Sequence, residues 1–110
     1  MRKRYVADEN LDALNGEPAA GEVWWCRGES LRLDDGDKVR PVLVVSVYGG
    51  DAYIIPLTTR KPAQPARAVA HAGGLSWLTN REVSVPRLAL LSSLGRWSEF
   101  DRWRTERPGF

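Results

Sequence analysis

Val39-Arg40-Pro41-Val42-Leu43-Val44-Val45-Ser46-Val47-Tyr48-Gly49-Gly50-Asp51-Ala52-Tyr53-Ile54-Ile55-Pro56-Leu57-Thr58-Thr59 is two apolar runs joined by a glycine pair. Residues 39–47 are apolar at odd and even positions alike. A strand shows alternate residues to opposite faces, so this one expects cover on both sides and a central place in a sheet. Tyr48-Gly49-Gly50-Asp51 is a two-residue hairpin turn, because glycine reaches the positive φ that such turns require. Residues 51–59 form the return strand. Pro56 has no N–H to give a ladder, which implies an edge position or a bulge there.

The segments on either side follow the same logic. Gly21-Glu22-Val23-Trp24-Trp25-Cys26-Arg27 begins abruptly with β-branched and aromatic residues and reads as a first strand. Residues 28–37 carry four acids and two glycines, a long exposed loop of the kind that serves function more often than a tight turn does. Residues 60–65 are a basic loop stiffened by Pro62 and Pro65. Ala66 to Ala72 reads as a fourth strand, which Gly73-Gly74 breaks, and Ser76 to Asn80 as a turn or short helical piece. Glu82–Val85 and Leu88–Leu94 read as further strands. Trp97 to Phe110 has room for two helical turns. Strands every ten to fifteen residues, with little helix, predict a mainly β fold: a small curled sheet or barrel.

Composition narrows the class. The 110 residues make one domain, and 43% hydrophobic content is enough for a folded core. Residues 1–20 are polar and read as a flexible N-terminal extension, with the folded domain over 21–110. Arg outnumbers Lys thirteen to three, and a guanidinium grips phosphate in a fork where an ammonium is a point charge. The net charge of +2 neither requires nor excludes nucleic acid. A single cysteine, Cys26, and a single histidine, His71, can form neither an internal disulfide nor a Cys/His zinc site within one chain. The longest apolar run is far below the ~18 residues of a membrane span. Arg2-Lys3-Arg4 is followed by Ala7-Asp8-Glu9-Asn10 rather than an apolar signal core, so a cytoplasmic protein is expected.

The hairpin also brings chemistry together. With Tyr48 opposite Asp51, Arg40 faces Thr59; a one-residue bulge puts Thr58 there instead. Register alone leaves the choice of threonine open. Either way a fixed cation and a hydroxyl converge. Arginine stays charged at any working pH and stabilises developing negative charge, and a threonine hydroxyl donates to a phosphoryl oxygen. RNA carries its own nucleophile in the 2′-hydroxyl, so this pair suits RNA cleavage without cofactor or metal.

At these residues the chain resembles the MazF/PemK/Kid family of toxin endoribonucleases. The matching pieces, in order and spacing, are Gly21-Glu22-Val23-Trp24, Lys38-Val39-Arg40-Pro41-Val42-Leu43-Val44-Val45-Ser46 and Ile55-Pro56-Leu57-Thr58-Thr59. The resemblance is good over residues 20–60 and thinner to about 95. It implies an SH3-like barrel, a homodimer, and the toxin component of a type II toxin–antitoxin system: a metal-independent mRNA interferase that cuts single-stranded RNA. The family's catalytic arginine falls on Arg40 and its threonine on Thr58, the bulged register, with Thr59 beside it. Arg60, Lys61 and Arg67 would hold RNA phosphates, and residues 28–37 match the loop that gates the groove. A separate antitoxin is the implied protein partner. The chain departs from the family on the later strand: Ala89-Leu90-Leu91-Ser92 stands where many members have Arg-Thr-Ile-Asp. Ser84 and Pro86 stand where Kid-like members use an Arg and an Asp.

Other residues have plainer readings. Trp24, Trp25 and Trp77 could stack on bases, and Trp24 is the one carried forward as an RNA contact. Trp24 and Trp25 point to opposite faces, so only one need be core. His71, whose intrinsic pKa is near neutrality, could serve as a general base, but the resemblance gives it no role and it reads first as structural or exposed; Cys26 reads as a small buried hydrophobe. The interleaved charges of residues 96–107 read as a solvated face. Two non-enzymatic alternatives share the barrel: a CcdB-type gyrase poison acting through a C-terminal tryptophan, for which Trp103 is the candidate, and a catalytically silent RNA- or antitoxin-binding protein.

Overall fold

The computed structural model describes residues 17–31 and 38–107. The expected N-terminal extension lies outside these up to residue 16, as does the gating loop over 32–37. Seven strands run β1 (Glu22–Cys26), β2 (Arg40–Tyr48), β3 (Asp51–Thr58), β4 (Ala68–His71), β5 (Gly74–Leu78), β6 (Val83–Pro86) and β7 (Leu90–Arg96), followed by one short helix, α1 (Phe100–Glu106). All strand pairs are antiparallel, in the order β4-β5-β3-β2-β1-β7, with β6 added to β3. The sheet curls until its two ends meet, where the Ala72 N–H donates to the Leu94 carbonyl over 3.1 Å. The result is a mainly β protein, a curled antiparallel sheet in the manner of a small barrel.

The sequence dictates this arrangement through two-sided burial. β2 lies between β1 and β3, and its alternate residues serve different cores. Leu43 and Val45 join Val23, Ile55, Leu57, Val69 and Leu78 under α1. Val42 and Val44 join Trp24, Cys26, Leu31, Ile54 and Val85 on the other face. Phe100 and Trp103 on α1, with Trp97, close the first core; their rings sit 5.7–5.8 Å apart at the centroids. The charges of α1 face outward, as in the ion pair of Arg102 with Glu99 at 3.4 Å.

Two expectations need correction. Residues 76–80 are not a turn or helical piece: Gly74–Leu78 is β5, and His71-Ala72-Gly73-Gly74 is its hairpin with β4, His71 opposite Gly74. The two turn residues are Ala72 and Gly73, and Gly74 already belongs to β5, with a φ of +124°. Pro56, in turn, marks neither an edge strand nor the bulge. β3 is interior, paired on its outer side first with β6 up to Ile54 and then with β5 from Leu57. Pro56 occupies the gap between those partners. Its carbonyl points outward to accept from the N–H and hydroxyl of Thr79, at 3.3 and 2.8 Å, so its nitrogen points to the side where no ladder donor is wanted. The bulge lies across the ladder at Val45, where the register shifts between Val44 and Ser46.

Candidate functional site

That bulge decides which threonine meets Arg40. From the turn, Tyr48 pairs with Asp51 and Val47 with Ala52; past Val45 the pairing becomes Val44 with Ile54 and Val42 with Pro56. Carried two residues further, this register sets Arg40 opposite Thr58 rather than Thr59. Both line one open groove of about 620 Å³ at the strand ends, with Lys38, Thr59, Arg60, Trp25, His71 and Ser76. Cations, hydroxyls and an indole lining one groove suit a phosphate with a base beside it.

Each member is placed by the strand it ends. Arg40 opens β2 and is half-buried opposite Cys26 on β1. Thr58 closes β3. Its Oγ1 accepts from the Arg60 N–H at 3.2 Å and reaches the Arg60 carbonyl at 3.4 Å. The first bond fixes the oxygen, and the second is long enough that the hydroxyl proton is readily given to a better acceptor. Thr59 and Arg60 are exposed on the groove's rim.

His71 enters the groove from β4, because β4 pairs with β5 and β5 pairs with the Thr58 end of β3. The Gly73 N–H donates to its Nδ1 at 3.0 Å, so Nε2 carries the proton and donates to Ser76 Oγ at 2.9 Å. Ser76 is 1% exposed, and this bond satisfies a hydroxyl that water does not reach. Burial holds the His71 pKa below its usual value. The hairpin tip is close-packed: a Cβ on Gly73 would press on the His71 ring and meet the Trp25 indole.

The remaining candidates lie elsewhere. Trp24 is 7% exposed, in the second core, and its indole N–H donates to Glu22 Oε1 at 2.9 Å, so it has no free face for a base. Trp25, the next residue, is the tryptophan on the groove. Arg67 faces a second hollow beside α1 and pairs with Glu106 at 2.6 Å, so it does not join Arg40. Lys61 is exposed and outside the groove lining. Ser84 and Pro86 sit opposite Tyr53 and Asp51, at the turn end of β3 and away from Thr58. Ala89 is buried in the second core. Cys26 is fully buried, and burial pushes its thiol up to about 11, which removes it as a nucleophile.

His71 and Trp25 line the groove although the sequence pointed first to a structural histidine and to Trp24 as the RNA contact. The signal for His71 was the glycine pair after it: taken as a hairpin, it folds Ser76 and Trp77 back beside Ala68–His71 and carries the histidine to the Thr58 end of β3. Compared with models of known protein families and with curated proteins, the chain gives no match.

Proposed function

We propose that the chain is a toxin-type endoribonuclease of the MazF/PemK kind, built on an SH3-like barrel. It would cut single-stranded RNA without a metal and be held in check by an antitoxin. The observation that carries this reading is the convergence of Arg40 and Thr58 on one open groove, in the bulged register. Arg40 binds the scissile phosphate and stabilises the charge that builds on its oxygens, and Thr58 orients the same group by donating its hydroxyl proton. Thr59 and Arg60 on the rim hold neighbouring phosphates, and Trp25 offers a stacking face. The substrate's own 2′-hydroxyl is the nucleophile, so cleavage yields a cyclic phosphate and a 5′-hydroxyl.

The gyrase-poison alternative loses its main support, since Trp103 is 8% exposed and packed into the core from α1. Induced expression tests the proposal in cells. The native chain should arrest growth with loss of intact mRNA, and folded Arg40→Ala should do neither. Undiminished arrest by that variant overturns the assignment, and inhibition of purified gyrase would restore the alternative.

A further inference from the structure

Cleavage by a 2′-hydroxyl needs a group to take its proton, and neither Arg40 nor Thr58 is a base at neutral pH. We infer that His71 is the catalytic base of the groove, a role that rests on the ribonuclease reading above. Among the described lining residues it is the one side chain whose unperturbed pKa lies near neutrality, and the charged groups among those same residues are the cations Lys38, Arg40 and Arg60.

Its hydrogen bonds leave the correct nitrogen for the task. Ser76 Oγ accepts the hydrogen bond of Nε2–H, which keeps the lone pair on Nδ1. In the free protein that lone pair accepts from the Gly73 N–H, an exposed bond at the hairpin tip. A bound ribose replaces one donor by another: its 2′-hydroxyl takes the place of the Gly73 N–H, which water then hydrates. Ser76 is the positioning residue. It holds the ring and stabilises the imidazolium that forms.

The step balances without an outside reagent other than water. The 2′ O–H bond breaks and its proton passes to Nδ1. The 2′ oxygen bonds to phosphorus as the bond from phosphorus to the 5′ oxygen breaks. The leaving oxygen takes a proton from water, and the resulting hydroxide removes the proton from Nδ1. Burial keeps His71 neutral to lower pH than a free imidazole, so the base is in its working form across the neutral range.

The test is the pH profile of kcat/KM on a single-stranded RNA carrying one cut site, with EDTA present. The native chain should lose activity toward low pH with an apparent pKa below about 6.5. His71→Gln, whose amide can keep both hydrogen bonds, should cut about 10²–10⁴-fold more slowly and lose that acid limb. Ser76→Ala removes the acceptor that favours the imidazolium, so its acid limb should move to lower pH. Cleavage by His71→Gln at the native rate, or with the native acid limb, overturns the inference while leaving the ribonuclease reading intact. Absence of cleavage by the native chain overturns both. Should His71→Gln fail to fold, the Ser76→Ala profile decides: an unmoved limb counts against His71.

Discussion

At the residue scale, adjacent tryptophans have opposite fates. Trp24 and Trp25 share a strand, so one faces the second core and the other the groove. Trp24→Ala should lower stability by about 3–5 kcal/mol, read from urea denaturation, as expected when a large buried side chain leaves a cavity. Trp25→Ala should weaken binding of a single-stranded RNA by about 1–3 kcal/mol at matched salt, the usual worth of one base stacked on an aromatic ring. An unchanged RNA affinity for Trp25→Ala would contradict the stacking role. The sequence could show that the two residues face opposite ways. Only the pairing of β1 with both β2 and β7, and the Glu22 acceptor for Trp24, shows which one is inside.

At the element scale, Gly21 is the joint between the chain entering β1 and the end of β7. Its φ is +93°, its N–H donates to Val44 and its carbonyl accepts from Trp97, at 2.8 and 2.9 Å. A Cβ there would run into the Arg96 guanidinium and the Phe100 ring. Gly21→Ala should therefore destabilise by about 2 kcal/mol, since the left-handed backbone alone costs an L-residue about 1–2 kcal/mol. A melting curve matching the native one would show that the joint relaxes freely. The strands made of apolar runs were legible because both their faces are buried. β5 was not: Gly74-Leu75-Ser76-Trp77-Leu78 has two exposed residues and buries a serine, and that serine is inside only because His71 meets it. A bulge in the hairpin was foreseeable, but its place at Val45 was not. Nothing in Val44-Val45-Ser46 distinguishes it from regular strand, and only the shift in pairing between Val44 and Ser46 locates it.

On the scale of the whole molecule, two sequence-distant elements make the groove. Arg40 and Thr58 come from one hairpin, which the sequence displayed. His71 and Ser76 come from a second hairpin that reaches the same strand end only through the β3–β5 pairing. Charge is divided in the same way. The arginines of α1 pair with neighbouring acids such as Asp101 and Glu106, while Arg40 and Arg60 line the groove. On the proposed function, this groove cuts RNA through Arg40. The most direct measurement incubates the purified native chain and Arg40→Ala with a long mixed-sequence RNA in EDTA and maps the new ends. Discrete cuts with 5′-hydroxyl ends are expected from the native chain, slowed about 10²–10³-fold or more in Arg40→Ala, the usual loss for one preorganised charge-stabilising donor. Intact RNA from the folded native chain, or equal cutting by the folded variant, would contradict the proposed function.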